Sequence, residues 1–298
     1  MMQNYIACLM IQPLLVLTLV IHGYRLKTYL SGKISALRGF EASALSAFFS
    51  LLMPARSNEL VKPIYLSLKE GVAFPEATGA VLLERVFDLI FFILTVSLVL
   101  LLAGFEEERG SLLFFAIMLL VLLSAIVCYI FYGQHLIALL ERFKFKRLAD
   151  LMASGHEGVA TAWKNSFKWY MLLMGALVWF FLFMTYYVFF QWAFGGQLPI
   201  LTVNALFLAG TLGMCIGITP GSLGTFESAL GIVLVSSGFK LEQLIVPLVC
   251  FRVAMIIPSG LISLVVFFKN RHLWPELLAK IKSKISSRKT KSSHHLNM

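Results

Sequence analysis

The residues able to do chemistry in this chain fall in two places. The first reads Met53-Pro54-Ala55-Arg56-Ser57-Asn58-Glu59, followed by Glu84-Arg85-x-x-Asp88 inside an otherwise apolar stretch. The second reads Thr219-Pro220-Gly221-Ser222-Leu223-Gly224-Thr225-Phe226-Glu227, followed by Phe251-Arg252, again within an apolar stretch. A guanidinium donates two hydrogen bonds to two oxygens at once, so Arg56, Arg85 and Arg252 suit a phosphate. Charges in apolar helices cost at least a few kcal/mol each, roughly, so they must pair or face a polar cavity. Glu84 and Asp88 stand one helical turn apart on one face, with Arg85 on a neighbouring face. The same charges would serve as locks between elements: Arg85 to Glu59, Arg56 to Asp88, Arg252 to Glu227. The two roles are compatible, because an anion can bind by displacing part of such a network.

Pro54, Pro220 and Gly221 break helices where polar residues follow. A broken helix frees backbone N–H groups and a helix N-terminus, both of which suit an anion. Ser222, Gly224 and Thr225 permit close backbone approach at the second break. The bland alternative is a simple loop between two helices.

Bond-making chemistry lacks its parts. No nucleotide-binding loop, metal-ligand cluster or Ser/His/Asp set is present, and Glu84 and Asp88 have no nucleophile or metal beside them. No catalytic residue, metal or cofactor is expected. Cys8, Cys128, Cys215 and Cys250 all lie in apolar stretches without a CxxC pair and are expected to be packing residues. The aromatic run from Trp179 to Trp192 is expected to face lipid rather than a cofactor.

The elements that must hold these residues are membrane helices. Of 298 residues, 59% are hydrophobic and 13% charged, with a mean hydropathy of +0.85. Soluble domains carry about 45–50% apolar and about 25% charged residues, so the expected class is an all-α polytopic membrane protein. The net charge of +10 reads as membrane orientation and contact with anionic lipid, not nucleic-acid binding. Full spans are expected at 5–22, 78–103, 112–132, 168–193 and 244–268. The runs 36–53 with 57–70, and 201–218 with 222–237, read as two Pro/Gly-broken re-entrant hairpins, the first entering and leaving on the cytoplasmic side and the second on the outer side, or as a pair of full crossings that returns there. Residues 134–152 read as an interfacial helix.

Segment 23–40 contains Arg25, Lys27, Lys33 and Arg38 before any acid, and 133–168 and the tail from Lys269 are also basic. No basic residue occurs in 194–239. Positive-inside bias therefore places 23–40, 133–168 and the 269–298 tail in the cytoplasm and the N-terminus outside. Gly71 and Arg85 map onto Gly238 and Arg252 at one offset of 167, and the prolines at 166. With three crossings between them, the units 36–103 and 201–268 form an inverted repeat within a single domain, 1–268. That architecture makes a binding site near the membrane midplane.

The motifs P-x-R-x-x-E (from Pro54), E-R-x-x-D (from Glu84) and P-G-x-x-G-x-x-E (from Pro220), in this order and hydropathy, resemble the lysylphosphatidylglycerol synthase transmembrane-region family. These flippase-like membrane proteins include the flippase half of the multiple peptide resistance factor. The resemblance runs from Tyr5 to about Phe268. It departs in two respects: the chain looks one N-terminal span short, and Asn58 stands where Gly is common, a residue that also tolerates left-handed backbone. The family's aminoacyl-transferase domain is not expected here.

The resemblance implies a transporter that moves an anionic lipid between leaflets of the plasma membrane. Its substrate would be a phospholipid, an aminoacyl-phospholipid or a polyprenyl-phosphate carrier. Arg56, Arg85, Arg252, Ser222, Gly224 and Thr225 would receive the phosphate, within a charge network of Glu59, Glu84, Asp88 and Glu227. A second expectation is a non-catalytic accessory subunit that holds lipid for a partner transferase. A third, weaker one is a membrane transferase with Glu84 or Asp88 as base. The sequence leaves head group, direction and oligomeric state open.

Overall fold

The computed structural model describes residues 2–52, 57–102, 168–216 and 219–271, with isolated positions between 121 and 163 and at 275 and 279. Among these every regular element is helical. The expected span 112–132, the interfacial helix 134–152 and most of the basic tail lie outside the described residues.

Helix α1 (Met2–Tyr29) is apolar for most of its length. It ends where Gly32 turns left-handed and its N–H closes onto the Lys27 carbonyl at 2.9 Å, a Schellman stop that satisfies end carbonyls. Ser35 opens α2 (Ala36–Leu52), its hydroxyl accepting from the Arg38 N–H at 3.3 Å. After the break at 53–56 come a 3₁₀ turn, Ser57–Leu60, and α3 (Val61–Glu70), which stops at left-handed Gly71. Helix α4 (Phe74–Leu102) follows, with Pro75 near its start, where a missing N–H costs nothing.

The second half repeats this plan. After α5 (Lys168–Ala193), α6 (Ile200–Ile216) leads to a Pro220–Ser222 turn, α7 (Thr225–Ser236), left-handed Gly238 and α8 (Leu241–Lys269). Helices α2 and α6 each have 17 residues, and α4 and α8 each have 29. Helix α3, with 10 residues, and α7, with 12, reach about 15–18 Å at 1.5 Å per residue. Neither crosses a hydrocarbon core of about 30 Å alone.

Gln3–Tyr29, Trp169–Ala193 and Leu241–Lys269 are long and apolar enough to span. With the shorter apolar helices, they make this an all-α polytopic membrane protein. The first span runs seven residues beyond the expected 5–22. Arg25, counted from the sequence as a cytoplasmic loop charge, is instead inside α1 and 0% exposed.

Packing brings the two halves together. The Cys8 thiol donates to the Cys250 carbonyl (3.5 Å) and the Gln12 side-chain amide to the Ala254 carbonyl (3.2 Å), so α1 and α8 run side by side in one direction. Helix α2 runs antiparallel to α8: Lys269 lies 3.6 Å from Glu41, and Gly260 faces Phe48. At the α1–α2 crossing a methyl group on Gly23 would stand 2.6 Å from the Ala36 carbonyl and 2.7 Å from the Phe40 nitrogen. This is the close backbone approach that small residues permit between membrane helices.

Buried apolar side chains form two clusters. A first one joins Leu26, Tyr29, Leu45, Ile64, Tyr65, Leu83 and Phe87. A second joins Ile11, Tyr186, Phe189, Phe190, Phe207, Phe226, Leu230 and Phe251. The aromatic run on α5 is thus largely core, correcting the lipid-facing expectation. Phe180 and Trp192 remain exposed, while Tyr186, Phe189 and Phe190 are buried. A helix apolar on every side carries no mark of which face will be covered.

Candidate functional site

Glu84 is ten residues into α4 and Arg252 eleven residues into α8. At 1.5 Å per residue each stands about 15–17 Å along a 29-residue helix, several turns from its nearer end. The 3₁₀ turns of both broken hairpins pack against α2, so the two helix breaks and these charges share one region.

Around the first break the charges form a connected network. Arg85 lies 3.3 Å from Glu59 and 3.2 Å from Asp88. Asp88 also accepts from Arg25 at 2.7 Å. Arg25 further donates to the Glu84 backbone carbonyl and, through Nε, to the Tyr29 hydroxyl at 3.1 Å. Lys62 Nζ donates to Glu84 Oε2 at 2.7 Å. His22 Nδ1 stands 4.0 Å from Glu84 Oε1, and neither atom has a hydrogen-bond partner. Three cations, Arg25, Lys62 and Arg85, therefore balance three carboxylates, Glu59, Glu84 and Asp88, among the described residues. Such balance is what permits so many charges to be buried. The network is not sealed: Glu84 is 0% exposed, but the Arg85 side chain keeps 42% of its surface accessible.

The second break is sparser. Glu227 divides its carboxylate, Oε2 accepting from the Gly224 N–H at 2.7 Å and Oε1 standing 3.7 Å from Arg252 Nε. Arg252, with 10% of its side chain exposed, lays its guanidinium over the Phe226 ring at 4.9 Å. The Thr225 hydroxyl donates to the Gly213 carbonyl (3.0 Å) and the Ser222 hydroxyl to the Met214 carbonyl (3.2 Å). Gly221, Ser222 and Gly224 all take positive φ, which lets the chain reverse within a few residues.

The geometry meets the sequence expectations unevenly. Arg85–Glu59 and Arg252–Glu227 pair as expected. The Arg56–Asp88 pair cannot be placed, because Pro54 and Arg56 lie outside the described residues; the partners described for Asp88 are Arg25 and Arg85. At the second break the polar groups expected to be open are engaged. The Ser222 and Thr225 hydroxyls close end carbonyls of α6, and Glu227 caps the Gly224 amide. Asn58 sits in the 3₁₀ turn, so its tolerance of left-handed backbone is not used.

Arg25, Lys62, His22 and Tyr29 were not picked out from the sequence. Lys62-Pro63, a cation entering a short helix beside the break, was the available signal. A third cluster, at the far ends of α2, α3 and α8, joins Arg38 to Glu41 (2.7 Å) and Glu70 (2.8 Å), with the Tyr65 hydroxyl donating to Glu41 at 2.7 Å. Among the described residues no group of His, Cys, Asp and Glu is placed to hold a metal.

Neither a curated protein nor a solved structure matches the chain significantly. The family model described as the lysylphosphatidylglycerol synthase TM region matches residues 4–263, a stretch that takes in both broken hairpins and every charge of the network around the first break. On that match, the chain belongs to the lysylphosphatidylglycerol synthase transmembrane-region family.

Proposed function

We propose that this protein is a flippase-like lipid transporter that moves an anionic lipid between the leaflets of the plasma membrane. The observation that carries the reading is Arg85. It lies within a 29-residue helix, more than three turns from its start, held between Glu59 and Asp88, yet 42% of its side chain is accessible. An accessible charge within a membrane helix is costly against acyl chains and stabilised by a polar head group or water. A passing phosphate would trade places with Glu59 or Asp88 at Arg85, and with Glu227 at Arg252.

Matched helix lengths and the corresponding glycines, Gly71 and Gly238, support two units of opposite orientation, inner and outer. The reading needs no chemical step from the protein, and it places the N-terminus outside and the tail from Lys269 in the cytoplasm.

The test is leaflet exchange in proteoliposomes with labelled anionic, zwitterionic and polyprenyl-phosphate lipids. Exchange of one anionic class faster than in empty vesicles is expected, with Arg85→Ala and Arg252→Ala slowing it while remaining folded. Normal exchange by both folded variants would overturn the arginine route. No acceleration for any lipid by folded protein would favour an accessory subunit that presents lipid to a separate transferase.

A further inference from the structure

One nitrogen and one oxygen of the charged network face each other without a bond. His22 Nδ1, on α1, stands 4.0 Å from Glu84 Oε1, on α4, and both atoms are buried without a hydrogen-bond partner. The other Glu84 oxygen accepts from Lys62 at 2.7 Å. Buried polar atoms normally find partners, and at 4.0 Å this pair is too far apart to be one.

A carboxylate oxygen only accepts, so the gap closes when the imidazole donates across it. A neutral imidazole carries one N–H, and a second proton makes donors of both nitrogens. A small side-chain rotation then brings Nδ1 within hydrogen-bond distance of Oε1, about 2.7–3.2 Å. His22 keeps 18% of its side chain accessible and Glu84 0%, so the proton arrives at the histidine.

The surrounding charges decide when it can stay. Besides Glu84, His22 feels Lys62 on α3, Arg25 one turn along α1, and Asp88 on α4. Of the other helices packed on α1, α5 has no acidic or basic residue after Lys168. On α2, Arg38 and Glu41 pair with each other. On α8, Glu242 lies in the first turn, Arg252 faces Glu227 and Lys269 faces Glu41. With His22 neutral, Arg25, Lys62 and Arg85 balance Glu59, Glu84 and Asp88 among the described residues. A proton on His22 leaves one positive charge in excess, and an anion at Arg85 leaves one negative charge in excess. Either alone is costly in an apolar surround, and together they restore neutrality.

We propose that His22, backed by Glu84, is a proton-binding site that couples uptake of one proton to the entry of one anionic lipid. The inference rests on the lipid-transport reading and identifies the ion that travels with the lipid. The proton joins the imidazole from water, Nδ1–H donates to Glu84 Oε1, and the proton returns to water when the lipid leaves. Coupling of this kind is reciprocal: the lipid raises affinity for the proton as much as the proton raises affinity for the lipid.

The experiment has two arms, both on the full-length protein. In the first, nitrogen-15 histidine spectra are recorded from about pH 5 to 8, the range in which histidine ordinarily changes charge. The protein is held in phosphatidylcholine nanodiscs with and without phosphatidylglycerol, and the His22 signals are those lost in His22→Gln. Phosphatidylglycerol should raise the His22 midpoint by about one pH unit, a tenfold gain in proton affinity. Arg85→Gln, which leaves the surface charge of the disc unchanged, should remove that gain. In the second arm, leaflet exchange of labelled phosphatidylglycerol and polyprenyl phosphate is followed in phosphatidylcholine proteoliposomes over the same range. Wild-type exchange of the faster lipid should slow about tenfold as pH rises, while His22→Gln should be slow and flat. At pH 8 His22→Gln should unfold at the wild-type temperature, because Nδ1 gives up no partner.

A His22 signal that does not titrate in either disc would overturn the proton site. An equal gain in Arg85→Gln would assign it to the disc surface and overturn the coupling. Exchange with the same pH profile in wild type and His22→Gln would also overturn the coupling, leaving transport standing. A large drop in unfolding temperature for His22→Gln at pH 8 would make His22 a packing residue. If folded wild-type protein exchanges neither lipid at any pH while His22 still titrates, the transport reading falls and takes the coupling with it.

Discussion

Lys62 Nζ and Glu84 Oε2 meet at 2.7 Å with both side chains buried, tying the short helix after the first break to the middle of α4. Removing one partner leaves a buried charge uncompensated, at a cost of about 3–5 kcal/mol. Lys62→Met and Glu84→Leu should each lower the unfolding temperature sharply in detergent. The double variant should recover most of the loss, because an apolar pair of similar volume replaces a matched ion pair. A double variant no better than either single one would mean that the pair does not act as a unit.

The α1–α2 crossing makes its own prediction. Gly23→Ala places a methyl group against the Ala36 carbonyl and the Phe40 nitrogen, backbone atoms that cannot rotate away. It should reduce the yield of monodisperse protein. Gly231→Ala, with nothing within 4 Å of the added methyl group, should match wild type and gain slightly from helix propensity. Size-exclusion profiles of the two variants give the comparison directly.

Glu227 competes for Arg252 while capping α7. Glu227→Gln keeps an oxygen for the Gly224 N–H and removes the charge facing Arg252. Leaflet exchange of the anionic lipid in proteoliposomes should therefore change in rate several-fold. Glu227→Ala removes the cap as well and should cost about 1 kcal/mol of stability. Leaflet exchange and thermal unfolding separate the two effects.

Orientation can be read by cysteine labelling of intact cells in a cysteine-free background. Gln197→Cys and Ser237→Cys, on exposed turns of the second half, should react with an impermeant maleimide. Lys33→Cys should react only after lysis. The reverse pattern would invert the assigned topology.

What could be read from the sequence followed hydropathy and helix breakers. The bounds of α5 came out as 168–193, and both hairpins fall within a few residues of their expected limits. The Glu59–Arg85 and Glu227–Arg252 pairs were legible because each carboxylate follows a break and each arginine follows at matching distance. Arg25 was not, since a cation near the end of an apolar run reads as an orientation signal. Its burial depends on Asp88, 63 positions away. Tyr186 was hidden among aromatics on a helix apolar all round. The capped Gly224 amide had a signal that went unread: a Glu three residues after a helix-starting Gly can close back on that amide.

The two apolar clusters divide the elements unequally. Helices α1, α4, α5 and α8 contribute side chains to both, whereas α2 and α3 belong to the first cluster and α6 and α7 to the second. Mechanically, four long helices form a frame with one hairpin seated at each end, and the turn of the second hairpin rests on α2 of the first. A hairpin that tilts must therefore repack its own seat and its contact with the other hairpin together. Glu59 and Glu227, one on each hairpin and each facing an arginine of a long helix, are the latches that such a tilt would open as a pair.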